Sequence, residues 1–148
     1  MRAYLLQDPT SPISPDELAK EGVQSWNVSS EEAVRATFIS AIKQERGYVD
    51  EDVVSLGHDT RDLDSICAKF DKEHFHTEDE VRLVLEGEGI FDVRNDADGW
   101  IRIEVVQGDM IVIPARKYHR FSLTGLRTIR CMRLFANHGG WSPLYRQV

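Results

Sequence analysis

The sequence predicts a mainly β protein, a barrel or sandwich of short strands with a helical cover at its N-terminal end. Three observations carry this. From residue 74 onward, at least six short apolar or alternating runs are separated by Gly, Asn and Asp turn signals, with no helical period among them. Before residue 71, Ser–Glu start signals and apolar residues at helical spacing dominate. Within the later region, residues 100–106 alternate strictly: Trp100, Arg102 and Glu104 on one face, Ile101, Ile103 and Val105 on the other. At 148 residues the chain is the size of one domain with one core. It divides into a cover (1–70), a barrel core (71–136) and a tail (137–148).

Composition excludes several classes. The net charge of −7 leaves no basic stripe for nucleic acid. No run approaches the roughly 20 apolar residues of a membrane span. Tyr4-Leu5-Leu6 is too short for a secretory leader, and Asp8-Pro9 follows at once. Two cysteines, Cys67 and Cys131, are expected to be reduced packing residues of a cytoplasmic protein. A closed barrel needs no partner, so a monomer is expected.

In chain order, residues 1–6 suit a short edge strand and Asp8-Pro9-Thr10-Ser11-Pro12 a loop. Ser14 caps a helix with Pro15 at its first position and Glu17 closing a capping box, and Gly22 ends it. Ser29-Ser30-Glu31-Glu32 repeats the start signal. The helix that follows carries Val34, Phe38, Ala41 and Ile42 on one stripe and stops at Gly47. Residues 52–56 suit a strand, and Leu63, Ile66, Cys67 and Phe70 a short amphipathic helix. Strands are then expected at 81–85, 90–94, 100–106, 110–113, 118–123 and 128–135. Their turns fall at Gly87-Glu88-Gly89, at 95–99 and at Gly108-Asp109.

The chemistry concentrates in Glu73-His74-Phe75-His76-Thr77-Glu78-Asp79-Glu80-Val81-Arg82. On a strand, His74 and His76 leave the same face roughly 7 Å apart at Cα, close enough to share one ion. Extended chain would carry Glu80 about 13 Å from His76, so Thr77-Glu78-Asp79 must turn to bring it back. His119, in Pro114-Ala115-Arg116-Lys117-Tyr118-His119, is the natural fourth ligand. Arg82 shares the parity of Glu80. His58 and His138 have no motif partner and read as surface residues.

The spacing His74-x-His76-x3-Glu80-x6-Gly87, with Gly108-x5-Pro114-x4-His119, matches the two motifs of the cupin superfamily. Three positions depart from it: Ala68 and Arg116 stand where Gly is usual, and Leu123 where Asn often closes the second motif. Longer strings resemble the acireductone dioxygenase family: Glu45-Arg46-Gly47-Tyr48, residues 73–82, GEGIFDVR (87–94), Trp100-Ile101-Arg102-Ile103, GDMIVIP (108–114), Tyr118-His119-Arg120-Phe121, Met132-Arg133-Leu134-Phe135 and Trp141-Ser142-Pro143. They run in the family's order and spacing.

That resemblance implies a cupin-type jelly-roll barrel with a few N-terminal helices packed outside. It implies a metal enzyme of methionine salvage acting on 1,2-dihydroxy-3-keto-5-methylthiopentene and O₂. With Fe²⁺ the family yields formate and 4-methylthio-2-oxobutanoate, and with Ni²⁺ carbon monoxide, formate and methylthiopropionate. One ion per monomer falls on His74, His76, Glu80 and His119, with two positions open. Imidazole suits iron and nickel, and the carboxylate offsets the dication. Arg82 is assigned to stabilising oxyanion charge. Glu73 is a candidate proton acceptor, with support of the first ligand as its other reading. Phe70, Phe91, Phe121 and Trp141 are candidates for an apolar wall around the substrate. Arg116 puts a bulky side chain beside the second motif, and the sequence leaves its effect on the pocket mouth open. Eukaryotic members suggest the nucleus as a second location. The competing readings are another metal-dependent cupin enzyme, such as a different dioxygenase or a sugar-phosphate epimerase, and a metal-binding cupin without catalysis.

Overall fold

A computed structural model describes residues 1–147. Eleven strands and three helices follow in the order β1 (Arg2–Leu5), β2 (Asp8–Pro12), α1 (Pro15–Lys20), β3 (Gln24–Asn27), α2 (Glu32–Arg46), β4 (Asp50–Leu56), α3 (Leu63–Asp71), β5 (His74–Phe75), β6 (Glu80–Arg94), β7 (Trp100–Val106), β8 (Asp109–Ile113), β9 (His119–Ser122), β10 (Ile129–Phe135) and β11 (Leu144–Tyr145). All pairings are antiparallel. One sheet runs β11-β5-β9-β6-β7-β1-β2. A second runs β3-β8-β6-β10-β4. They share β6, which crosses from one to the other.

That crossing corrects the turn expected at Gly87-Glu88-Gly89. The strand continues through it, bent at Gly87 with φ 79°. A Cβ there would lie 2.2 Å from the Thr128 carbonyl oxygen, so glycine is required by close approach as well as by dihedral. The register with β10 slips at the same place, between Arg130 and Cys131, and such a bulge increases local bend and twist.

Sequence parity decides what faces where. The first half of β6 and all of β8 are buried on both faces, so their runs are nearly continuous rather than alternating. Val84, Ile111 and Ile113 join the inner core with Phe91, Val93, Ile103 and Phe121. Val81, Leu83, Met110 and Val112 form an outer layer with Ile39 and Ile42 of α2. Helix α2 therefore packs outside the barrel, as expected. Glu80 and Arg82 alternate with the outward Val81 and Leu83 and so face inward.

Three local expectations change. The segment 8–12 is a strand rather than a loop, and it, not β1, forms the edge, where Pro9 and Pro12 cost no ladder partner. The buried stripe of α2 is rotated: Ile39 and Ile42 are buried, Phe38 half-buried, while Val34 and Ala41 are exposed. Long stems complete the stripe, with the Arg46 guanidinium 5.3 Å over the Trp26 ring. The cap of α2 is Glu31, with Ser29 Oγ accepting the Glu31 N–H at 3.1 Å. The Ser14 capping box and the left-handed Gly47 stop are present as expected.

Candidate metal centre

The ligand residues come from β5, the residue just after it, β9 and the start of β6. His74 on β5 lies directly opposite His119 on β9, and His119 in turn pairs with Val93 of β6. Glu80 opens β6 after the 77–79 turn. Two backbone-to-loop bonds hold that turn: Arg116 N–H donates to His76 C=O at 2.8 Å, and Ala115 N–H to Asp79 Oδ1 at 3.0 Å. Tyr48 donates to the other oxygen of Asp79 at 3.2 Å.

The result is four buried side chains, His74, His76, Glu80 and His119, whose ligand atoms lie within 4.8 Å of one another. No other group of this kind exists among the described residues. Each imidazole is oriented by a backbone carbonyl at its Nδ1: His74 on Lys72 (2.6 Å), His76 on Ser142 (3.0 Å), His119 on Lys117 (2.8 Å). With Nδ1–H donated outward, each Nε2 is turned to the centre, as in metal-bound histidines, although His76 Nε2–H donates to Glu80 and would have to yield that proton to an ion. Nε2 of His119 is buried with no hydrogen-bond partner. A buried acceptor left unsatisfied is costly, and a divalent ion at the centre removes that cost. The donor set suits a first-row transition metal.

Charge supports the same reading. Burial pushes the Glu80 carboxyl up, but Arg82, His119 and His76 outweigh it and hold it well below the carboxylate range. Burial pushes the His74 imidazole below its ordinary value, and the Lys72 carbonyl only partly opposes it. Burial acts on His76 in the same sense, but its hydrogen bond to Glu80 (3.1 Å) and that residue's charge reverse the outcome and raise it.

A cavity of about 170 Å³ opens beside the cluster, lined by Ile66, Phe70, Arg82, Arg133, Trp141 and Tyr145 among others. Arg82 is buried, with Nε 3.4 Å from Glu80 Oε2. Its guanidinium carbon lies 5.5–5.9 Å from the rings of Phe70, Phe121 and Trp141.

The profile of the ARD/ARD' family matches residues 3–143. This chain belongs to the ARD/ARD' family. It is 35% identical over 146 residues to the acireductone dioxygenase of Dictyostelium discoideum, covering 99% of each chain. To that of Heterostelium pallidum it is 46% identical over 108 residues, 73% of this chain and 74% of that one. Its fold overlays on an acireductone dioxygenase from Bacillus anthracis, solved with a cadmium ion in its active centre, with a TM-score of 0.88, 30% identity and 97% of each chain covered. The chain is thus a dioxygenase of the ARD/ARD' family on a cupin-type barrel.

Against that ARD frame the expected site residues separate. The four expected ligands converge, and Arg82, Phe70 and Trp141 line the cavity. Phe91 and Phe121 are buried in the inner core, and Phe121 reaches the site only as a backing ring behind Arg82. Glu73 does not line the cavity. Arg94 grips it at both oxygens (2.9 and 3.0 Å), and Arg146 binds one of them at 2.8 Å. The bond from Arg94 foremost holds its carboxyl below the ordinary range, although burial opposes this. Arg116 is exposed, in the left-handed region at φ 68°, and lines an outer cleft rather than the metal cavity, so it does not narrow the mouth.

Ile66, Lys69, Arg133, Pro143 and Tyr145 escaped the sequence reading. The Trp141-Ser142-Pro143 string was the available signal for the tail. Its backbone crosses the site, giving Ser142 C=O to His76 and pairing β11 with β5. Arg146 clamps the end onto Glu73 and Asp98.

Proposed function

We propose that the chain cleaves 1,2-dihydroxy-3-keto-5-methylthiopentene with O₂. Fe²⁺ directs it to formate and 4-methylthio-2-oxobutanoate, and Ni²⁺ to carbon monoxide, formate and methylthiopropionate. What supports this reading most is the buried three-histidine, one-glutamate cluster, each imidazole already turned by a carbonyl so that Nε2 faces one centre. His74, His76, Glu80 and His119 hold one ion per chain, which when bound supplies Lewis acidity and a template for the two oxygens of an enediolate.

The chain's own residues do the rest. Arg82 places a fixed cation where oxyanion charge grows on the substrate, and its burial among aromatic rings strengthens that field. Phe70, Ile66 and Trp141 exclude water and accept the thioether tail. Glu73, neutralised by Arg94 and Arg146, stiffens the strand that presents His74. No helix of the described residues is long and apolar enough to cross a membrane. A cytoplasmic site of action, extending to the nucleus, completes the proposal, with the two free cysteines in its favour.

The test is product identification. Apo, Fe²⁺-loaded and Ni²⁺-loaded protein receive the acireductone in air. Keto acid and formate under iron, and carbon monoxide under nickel, are expected. Stoichiometric metal with substrate untouched beyond the apo rate would overturn the assignment.

A further inference from the structure

Helix α3 turns one face to the metal cavity. Ile66, Lys69 and Phe70 all line it, and their i, i+3, i+4 spacing puts them on one side of the helix. The helix's two carboxylates, Asp64 and Asp71, fall on the opposite side by the same geometry, and Asp64 is paired with Arg127 at 2.6 Å. Three cations line the cavity, and they differ in how far they are already matched. Arg82 is buried, with Nε 3.4 Å from Glu80 Oε2. Arg133 is gripped by Asp52 at 2.8 and 2.6 Å. Lys69 is exposed, lines the cavity and has no acid within ion-pair reach among the described residues. Glu80 is the single acid in that lining. The cavity wall is thus positive in a chain of net charge −7, whose overall field repels an anion.

From this we infer that Lys69 draws a negatively charged substrate to the cavity, so that the acireductone enters as its enolate anion. The inference rests on the acireductone reading. An enediol conjugated to a ketone is a vinylogous carboxylic acid, ionised at neutral pH. A fixed charge acts on such a ligand through space and needs no contact. At about 7 Å in water, one unit charge is worth roughly a threefold change in local concentration, and salt shortens that reach. The cations divide the work. Lys69 acts on the approaching anion, Arg82 on the bound oxygens, and Arg133 stays with Asp52. A charge at the rim of a site changes the association rate and its salt dependence first.

The experiment reads association, not turnover. Ni²⁺-loaded protein is mixed with the acireductone in the absence of O₂, and the change in ultraviolet absorbance gives the association rate by stopped flow. Rates are taken at low salt, where the Debye length is about 30 Å, and at high salt, where it is about 3 Å. At low salt Lys69→Met, which keeps an apolar stem, should associate about two- to fourfold more slowly. Lys69→Glu should be slower again by the same factor. At high salt the three rates should converge, with metal per chain unchanged throughout. Lys20 on α1 is equally exposed but outside the cavity wall. Lys20→Met removes the same charge and should keep the unaltered protein's rate. Catechol, uncharged at neutral pH, should bind all four proteins at one rate. Equal low-salt rates for the unaltered protein and Lys69→Glu overturn the inference. A loss that persists at high salt or extends to catechol also overturns it, by marking a packing role. Equal slowing by Lys20→Met does so by marking net charge alone. Failure of the unaltered protein to bind acireductone at all would overturn the substrate reading and this inference with it.

Discussion

Strand β6 carries two buried carboxylates, one at each end, and their surroundings differ in kind. Asp92 is 2% exposed and saturated: Arg102 binds both its oxygens at 2.8 and 2.9 Å, and Arg120 adds a third bond at 2.8 Å. Glu80 is 4% exposed and faces three histidines and one poorly aligned arginine, beside an imidazole nitrogen with no partner. Both are acids taken out of water, which needs compensation. At Asp92 the protein supplies all of it. At Glu80 the chain's own Arg82, His119 and His76 also outweigh burial, and what stays open is the His119 nitrogen beside it. Burial alone therefore does not mark a functional carboxylate; a buried neighbour that the protein leaves unsatisfied does.

The sharpest way to break this contrast is to remove one ligand from the open end. His119→Ala is expected to lower metal retention after dialysis by more than about a hundredfold, beyond what loss of an orienting residue costs, and to abolish turnover. Circular dichroism should be unchanged. At the closed end, Asp92→Asn should do the reverse. It leaves two guanidinium groups short of their partner, so it should destabilise folding by about 2–4 kcal/mol, read by urea unfolding, while the folded fraction still binds one ion. The part-exposure of both arginines keeps the figure below that of a fully buried pair.

A smaller effect sharpens the role of Glu73. Glu73→Gln should weaken metal affinity roughly tenfold through His74 and leave kcat at saturating metal near wild type. A collapse of kcat at full occupancy would instead make Glu73 the proton acceptor. The mildest test is pH. In the metal-free protein His76 holds its proton to above the ordinary 6.5, despite burial, because of Glu80. Metal must displace that proton, so affinity should already decline with falling pH above 6.5 and continue to fall below it. Isothermal titration at several pH values, in buffers of different ionisation enthalpy, reads both the trend and the proton released.

Much of the open end was legible from residue types and spacing. Two histidines two apart, a turn, then Glu80 and Arg82 of equal parity already specify which side chains share a face. The alternation of residues 100–106 likewise survives as the burial pattern of β7. What was not legible depends on partners distant in sequence. Gly87-Glu88-Gly89 has the composition of a turn, and only the close approach of Thr128 makes it a bend within one strand. The α2 stripe rotates because Arg35, Lys43 and Arg46 can cover apolar surface with their stems, which a count of apolar residues misses. Phe91 and Phe121 look identical to pocket aromatics in sequence, yet the core takes them. Asp92 gave no signal at all, since its two arginines come from β7 and β9, and only sheet pairing brings them together.

The most direct test of the contrast is the coordination sphere itself. Apo protein is loaded with Ni²⁺, dialysed, assayed for metal per chain and measured by X-ray absorption. The expected result is one ion per chain with three imidazoles and a carboxylate oxygen in its first shell, unchanged in Asp92→Asn and lost in His119→Ala. An ion held by fewer than two imidazoles, or one whose retention does not depend on His119, would contradict the account.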